Sequence, residues 1–180
     1  TSIGILISLY MGLGIGEVCA LSWEDVDLSN GVLHVRHTVA RVKNESKDMV
    51  AKTRLIIDEP KTKASKRDIP IPSTLLPVLA EYRKNSETKW LASEKGTFIS
   101  PRTYEYRYHQ VLNICGVAHI NYHALRHTFA SRCVAVGVDI KSLSELLGHG
   151  NSAITLNTYV HSSMEQKRNQ LEKLVSPVAC

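Results

Sequence analysis

Three side chains that can bind an anion lie on successive turns of one predicted helix, in the segment HALRHTFASR. Arg126 and His127 follow His123 by three and four positions, so a helix presents all three on one face. A guanidinium forms two parallel hydrogen bonds with phosphate oxygens, and a neighbouring imidazole can add another. The segment therefore indicates a site for a phosphate or a similar anion.

The same segment also allows a metal site or a purely structural role. His123 and His127 have the spacing of the zinc-binding histidines of metalloproteases, but Ala124 stands where those helices place a glutamate. We therefore predict no metal ion. For His127, a histidine whose polar atoms are satisfied within the core is the ordinary expectation.

A further histidine and a tyrosine follow in the segment LLGHGNSAITLNTYVH. His149 comes directly after a glycine that ends a predicted helix, and Tyr159 lies ten residues later. Taken alone, Tyr159 would be an ordinary residue at the rim of the surface. Its position after the histidines and Arg126, in a basic chain, makes it a candidate site residue.

Glycines at alternate positions, Gly12, Gly14 and Gly16, follow an apolar segment near the start of the chain. A dinucleotide-binding loop needs the spacing G-x-G-x-x-G between a strand and a helix. Here the spacing is G-x-G-x-G, and the preceding residues have the apolar period of a helix. We therefore predict that this segment is not a nucleotide-binding loop.

Composition predicts one soluble domain cut from a longer protein. The chain has 180 residues, of which 43% are hydrophobic and 22% charged, and its first residue, Thr1, already lies inside a helical pattern. No apolar run approaches the roughly 20 residues that cross a bilayer, and no signal peptide is visible. We therefore expect a cytoplasmic protein with no membrane partner. Four cysteines without a C-x-x-C pair predict reduced thiols.

The charge distribution points weakly to a polyanionic partner. The net charge is +5 and the sequence pI is about 9.0. Basic residues cluster in two polar segments, ARVKNESKDMVAKTR and KTKASKR, for which a solvated charged surface is the other interpretation. The candidate contacts for a polyanion in these segments are Arg41, Lys43, Lys63, Lys66 and Arg67.

Hydrophobic periodicity predicts an α+β fold that is mostly helical. An apolar first helix is followed by a short second one, GEVCALSWEDVDL, with Val18, Leu21 and Trp23 facing inward. Three strands come next, VLHVRHTVARV, TRLIIDE and SKRDIPIP, and the basic PKTKA between the last two predicts a β-hairpin. We therefore expect a small three-stranded antiparallel sheet near the N-terminus.

The remainder of the chain has the period of helices. Ser73 is the predicted N-cap of the first of them, and four more are predicted between residues 101 and 163. A polar tail helix of about residues 162–176 follows, and its apolar stripe is too narrow to anchor it well to its own core.

The segments HALRHTFAS, LLGHG and TLNTYVH, in this order, closely resemble the tyrosine recombinase family of phage and conjugative-transposon integrases. GEVCALSWEDVDL and PKTKASKRDIPIP resemble earlier boxes of the same family. The resemblance runs from the first helix to beyond Tyr159. It implies that residues 1–180 are the catalytic domain of a longer integrase, a C-terminal fragment that lacks the other DNA-binding domains.

The resemblance implies the chemistry of DNA strand cleavage and rejoining in site-specific recombination of a mobile element. Tyr159 is the expected nucleophile, which attacks a scissile phosphate and forms a 3′-phosphotyrosine. Arg126 is expected to hold the non-bridging oxygens of that phosphate. Lys61 is the expected general acid for the 5′-oxygen, with Lys63 as its rival.

Two histidines and a carboxylate complete the site that the resemblance implies. His123 is expected to assist proton transfer or to orient the phosphate, and His149 to donate to a phosphate oxygen. Glu17 is expected to support these groups without touching the phosphate. No cofactor or metal is implied, because cationic side chains neutralise the developing charge.

The resemblance also implies the partners of the chain. Double-stranded DNA is the expected substrate, and the five basic residues given above for a polyanion become its candidate contacts. A homotetramer on DNA is expected, with the tail helix of about residues 162–176 docked on a neighbouring protomer. A tail packed on its own protomer is the alternative.

Gly14 departs from the family pattern. The first box normally reads G-L-R-x-G-E, whereas this chain has GLGIGE, so glycine stands in place of the first catalytic arginine. A substitution made to trap a complex, a naturally decayed element, and replacement by Arg102 or Arg107 are three explanations. A silent DNA-binding domain and a type IB topoisomerase are therefore alternatives to an active recombinase.

Overall fold

Two helices joined by a tight turn begin the fold. The computed structural model of the chain describes residues 1–44, 52–60 and 62–159, together with 168, 171 and 172. Helix α1 spans Ser2–Met11 and α2 spans Ile15–Ala20. Gly12 ends α1 with φ 72°, and a Cβ there would lie 2.4 Å from the ring of Phe129, so both the backbone and the packing require glycine.

A three-stranded antiparallel sheet follows, as the sequence predicts. Strands β1 (Val26–Asp27), β2 (Val32–Val35) and β5 (Arg67–Pro70) lie in the order β1-β2-β5. Leu33 pairs with Ile69, and both are buried in the core. The alternation of buried and exposed residues along these strands places their apolar face on the helices.

The composition of that sheet differs from the prediction. Residues 32–42 form two strands, because β3 (Thr38–Lys43) leaves the sheet and pairs instead with β4 (Thr53–Asp58) as a separate ribbon. At the break, the Arg36 guanidinium donates to the carbonyl oxygen of Arg67 at 2.8 Å. The alternation of apolar residues continues across the break, so the sequence pattern does not reveal it.

The predicted β-hairpin around PKTKA is wrong. Strand β4 pairs with β3 and β5 pairs with β2, so the two flanking strands are not partners. In the described part of the basic segment, Lys63–Ser65 form one turn of 3₁₀-helix instead. A turn that changes sheets has the same polar composition as a hairpin turn, and composition alone does not separate them.

The later helices match the predicted pattern, apart from one N-terminus. Helix α3 begins at Leu76 rather than after Ser73, because Pro77 is tolerated only in the first turn of a helix. A short hairpin of β6 (Ser93–Glu94) and β7 (Thr97–Phe98) separates α3 from the next helix. The helices are α3 (Leu76–Lys84), α4 (Pro101–Ile114), α5 (His123–Ala135), α6 (Ile140–Leu147) and α7 (Ser152–Tyr159).

The core forms around α1, which packs against α2, α4 and α5. Ile7 and Met11 of α1 are fully buried, and Val18, Leu21 and Trp23 are buried as predicted. Within the described part of the chain, no helix has the length and apolar character needed to cross a membrane. The predicted tail helix of residues 162–176 lies almost wholly outside the described residues.

Gly4 generates a stability prediction, because it lets α1 approach α2 and α4. A Cβ at Gly4 would lie 2.1 Å from the hydroxyl oxygen of Tyr104 and 2.5 Å from Cγ1 of Val18. Gly4→Ala is expected to lower the free energy of unfolding by about 1–3 kcal/mol, because the buried neighbours must shift. Urea denaturation measures this, with Gly150→Ala as the control, since nothing lies within 4 Å of a Cβ at Gly150. Equal midpoints for the two variants would contradict the packing argument.

Candidate catalytic site

Arg126 lies on α5 and joins the ends of two other helices. Its Nη1 donates to the carbonyl oxygen of Gly12 at 3.0 Å, and its Nη2 donates to that of Leu147 at 2.5 Å. These carbonyls belong to the C-terminal ends of α1 and α6, where the helix dipole favours a cation. The guanidinium is thereby fixed in orientation, with only 12% of the side chain exposed.

Glu17 lies between two arginines at the centre of the site. Its carboxylate accepts hydrogen bonds from Nη1 of Arg67 at 2.6 Å and from Nη2 of the same residue at 3.1 Å. Nη1 of Arg126 lies 3.7 Å from Oε2 of Glu17. Oε2 also accepts from the backbone N–H of Gly14 at 2.8 Å. The carboxylate thus links α2, β5 and α5, which fits the expected supporting role of Glu17.

Arg67 is predicted to contact DNA, and the structure contradicts that prediction. Only 6% of its side chain is exposed, and its Nε donates to the carbonyl oxygen of Leu146 at 2.6 Å. Both Nη atoms bind Glu17, so the guanidinium is used inside the protein. The strand alternation carried this signal, because Arg67 and the buried Ile69 lie on the same face of β5.

Two histidines lie near this pair of guanidiniums. Burial lowers the pKa of His149 below its ordinary value, and Arg126 and Arg67 lower it further. Burial likewise lowers the pKa of His123, with smaller contributions from His127 and Arg126. The lowered pKa favours the neutral form of each ring, which has one N–H donor and one acceptor nitrogen.

His149 is held by a glycine turn and a hydroxyl. Gly148 ends α6 with φ 72°, and the backbone N–H of His149 donates to the carbonyl oxygen of Ser144 at 3.0 Å. Nδ1 of His149 lies 2.8 Å from Oγ1 of Thr155, a side chain that the sequence analysis did not identify. Nδ1 is therefore engaged within the protein, which leaves Nε2 as the nitrogen for a ligand.

The 3₁₀ turn of Lys63–Ser65 lies close to Gly148, the residue before His149. A Cβ on Gly148 would lie 3.1 Å from Cα of Ser65 and 3.2 Å from the carbonyl oxygen of Ala64. Lys63 is exposed at the start of this turn, whereas Nζ of Lys66 pairs with Glu59 at 2.7 Å. Lys61, the expected general acid, lies outside the described residues.

The other predicted side chains are spread more widely. Arg41 and Lys43 are exposed on the β3–β4 ribbon, where Nη1 of Arg41 donates to Oγ1 of Thr53 at 3.0 Å. Tyr159 is the last residue of α7, and its side chain lies outside the described part of the chain.

His123 and His127 meet edge to face with their ring centroids 4.5 Å apart. In the described residues, no group of three or more His, Cys, Asp or Glu side chains is placed to hold a metal ion.

Gly14 is not required by the backbone or by packing. It caps α2 with φ −80° and ψ 159°, which any residue adopts. The nearest atom to a Cβ there is Oε2 of Glu17, at 3.7 Å. Arg107 does not lie beside this position, because its guanidinium reaches the carbonyl oxygen of Ser93 and the carboxylate of Glu94. Arg67 and Arg126, rather than Arg107, are the arginines that contact Glu17.

The fold resembles that of a solved integrase, and sequence comparison gives the same family. The model of the phage integrase family matches residues 2–166, and the chain belongs to that family. A tyrosine recombinase XerC-like protein of Caldanaerobacter subterraneus is 35% identical over 185 residues, which cover 94% of this chain and 47% of that protein. The transposase of transposon Tn916 from Enterococcus faecalis is 26% identical over 187 residues, which cover 94% of this chain and 44% of that protein. The chain spans less than half the length of these two relatives.

Solved structures agree with the assignment. The Tn1549 transposon integrase in complex with circular intermediate DNA gives a TM-score of 0.77 at 27% identity, over 96% of this chain and 59% of that one. A crystal structure of XerA recombinase gives a TM-score of 0.65 at 22% identity, over 94% of this chain and 56% of that one. The second comparison concerns the fold alone.

The buried ion pair generates a stability prediction with a neighbouring control. Arg67→Met leaves the Glu17 carboxylate buried without its main partner, and the expected loss is about 3–5 kcal/mol of unfolding free energy. Lys66→Met removes an ion pair whose side chains are 39% and 68% exposed, and little change is expected. Chemical denaturation of both variants measures the difference. Similar losses in the two variants would show that Glu17 does not depend on Arg67.

Proposed function

We propose that this chain is the catalytic domain of a site-specific recombinase that cuts and rejoins DNA strands of a mobile element through a tyrosine. The observation that carries this proposal is that Arg126, held beside the Glu17 carboxylate, is close enough to His123 and His149 to lower their pKa, while His149 contacts the helix that ends at Tyr159. Such a cluster suits a phosphate whose charge increases during reaction. Family membership supports the same chemistry.

The proposed reaction begins at the phenol of Tyr159. The phenol gives its proton to a base, for which His123 is our choice, and its oxygen attacks the scissile phosphorus, forming a new P–O bond to tyrosine and breaking the bond to the 5′-oxygen. The 5′-oxygen leaves as a hydroxyl after it accepts a proton from a general acid, for which Lys61 is our choice and Lys63 the rival. Attack by a 5′-hydroxyl on the phosphotyrosine reverses these steps, so rejoining needs no ATP.

The described side chains have distinct roles in this proposal. Arg126, fixed by two helix-end carbonyls, stabilises the charge on the non-bridging oxygens without having to reorganise during reaction. His149 donates from Nε2 to one of these oxygens, and His123 orients the phosphate or assists proton transfer. Glu17 holds the guanidinium of Arg126 in register with α2.

The proposed substrate is double-stranded DNA. The integrase of Tn1549, which resembles this chain, was solved in complex with circular intermediate DNA. Exposed Arg41, Lys43 and Lys63, together with Lys66, supply candidate contacts for the DNA backbone. Arg67 is no longer among them.

We extend the proposal to assembly and domain organisation. Residues 1–180 form the catalytic domain of a longer integrase, in keeping with relatives more than twice the matched length. On DNA the domain forms a homotetramer, and the tail helix of about residues 162–176 docks on a neighbouring protomer.

Gly14 favours a second candidate function, a DNA-binding domain of the same fold with little or no turnover. A Cβ at position 14 would lie in ordinary contact with Oε2 of Glu17, at 3.7 Å, and we infer that water takes the place of the missing arginine side chain, where it would hydrate the phosphate and screen the remaining cations. Loss of such a charged donor costs about 3 kcal/mol, or roughly a hundredfold in rate. We propose that the chain binds DNA well and cleaves it slowly.

Tyr159→Phe tests the nucleophile. The variant is expected to form no covalent adduct on a nicked duplex carrying the recombination site, since the attacking oxygen is gone, while DNA affinity stays nearly unchanged. Denaturing gels measure the adduct and band shifts measure the affinity. Tyr106→Phe is the control, because Tyr106 is 64% exposed and lies on α4 away from the cluster. Adduct in the Tyr159 variant would overturn the assignment.

Gly14→Arg tests the effect of the missing arginine. The substitution is expected to raise the single-turnover rate of adduct formation by about a hundredfold, with little change in affinity. Gly14→Gln adds a side chain of similar reach without the charge and is expected to leave the rate low. Equal rates for the parent and the arginine variant would mean that cleavage does not rely on this position.

A further inference from the structure

Among the described side chains of helix α7, the one buried against the domain is polar. Thr155 is fully buried, whereas Ile154 and Leu156 on either side are 52% and 48% exposed. Ser152, Ala153 and Thr158 are exposed as well, so Thr155 is the buried position among the described side chains of α7. A buried position that serves only packing is ordinarily filled by an aliphatic residue. A threonine here indicates that its hydroxyl is used.

The hydroxyl of Thr155 is not directed at its own helix. Threonines within helices commonly donate to the carbonyl oxygen four residues earlier. Thr158 does so at 2.7 Å to Ile154, and Thr128 does so at 2.8 Å to Ala124. Oγ1 of Thr155 instead lies 2.8 Å from Nδ1 of His149, across the turn between α6 and α7. Either atom can be the donor in this contact, but only donation by Oγ1 to Nδ1 uses the hydrogen of the buried hydroxyl there.

The direction of this hydrogen bond determines which ring nitrogen of His149 carries the proton. If Oγ1 donates to Nδ1, the neutral ring must carry its own proton on Nε2, which then faces outward as a donor. Burial lowers the pKa of His149, and Arg126, Arg67 and His123 lower it further, while the Glu17 carboxylate pairs with both arginines. Since burial and the arginines disfavour a positive charge on the ring, the neutral ring with one defined donor is the relevant form.

We propose that Thr155 is a positioning residue, which holds His149 with its proton on Nε2 and fixes α7, the helix of Tyr159, to the same imidazole. This inference deepens the proposed function and rests on it for the role of Tyr159. Thr155 precedes Tyr159 by four residues, one turn of the same helix. The hydrogen bond between Thr155 and His149 therefore fixes the position of the His149 ring relative to α7, the helix that ends at Tyr159.

The first test requires no DNA. Nitrogen-15 NMR of the imidazoles distinguishes a protonated Nε2 from a protonated Nδ1, and His149→Gln identifies the signals. The parent chain at pH 8 is expected to have His149 predominantly in the Nε2–H form. Thr155→Val, which keeps the shape and removes the hydroxyl, is expected to shift the ring toward a mixture of both forms. Thr155→Ser keeps the hydroxyl and is expected to behave as the parent.

Thr158→Val is the matched control for removal of a hydroxyl from α7, and it is expected to leave the His149 signals unchanged. An Nδ1–H ring in the parent chain would overturn the proposal, even if Thr155→Val failed to fold. An unchanged ring in a folded Thr155→Val variant would overturn it as well.

The second test measures adduct formation in the Gly14→Arg background. Thr155→Val is expected to slow the single-turnover rate about tenfold with unchanged DNA affinity, and Thr155→Ser to restore the rate to within about twofold. Equal rates for the valine and serine variants would contradict the positioning role. Absence of adduct in every variant, together with the expected NMR result, would instead count against the recombinase function alone.

Discussion

The site depends on a single partly buried carboxylate that two guanidiniums share. Both Nη atoms of Arg67 donate to the Glu17 carboxylate, which also lies within ion-pair distance of Arg126. Helices α2 and α5 and strand β5 therefore meet at one charge. The two arginines also bind the adjacent carbonyl oxygens of Leu146 and Leu147, which ties α6 to the same cluster. Each desolvated ion is compensated, and the helix ends receive the cations that their dipoles favour.

The charge balance of this cluster explains the importance of one missing side chain. Two cations and one anion leave a small positive excess, and the two imidazoles add none while they are neutral. An arginine at position 14 would double that excess in front of Glu17, where a phosphate is proposed to bind. The fold tolerates glycine there because the turn needs only its backbone N–H, which Glu17 accepts. Affinity for a polyanion and the rate of its cleavage are therefore separable in this chain.

Hydrophobic period and short motifs predict much of this molecule, and the errors have physical causes. The small sheet and the helical second half follow from apolar spacing, but alternation does not show that a strand changes partner near Arg36. Arg67 was assigned to DNA by its charge, although its strand face points inward with Ile69. Thr155 lies in the segment TLNTYVH, but it carries no charge and its residue type gives no sign of a contact with His149, so that contact emerges only in three dimensions. Tyr159 and Lys61 remain predictions as far as their side chains are concerned.

Helix α7 is short, and few of its described side chains are buried, which has a consequence for its local stability. A helix of eight residues is marginal alone, and tertiary packing normally supplies its stability. Here that packing involves Thr155, whereas the apolar neighbours Ile154 and Leu156 remain largely in solvent. Segments with few buried apolar contacts open at a small fraction of the global unfolding free energy. The described side chains of α7 therefore bury less apolar surface than the core around α1, and we expect the amides of α7 to exchange faster than those of α1.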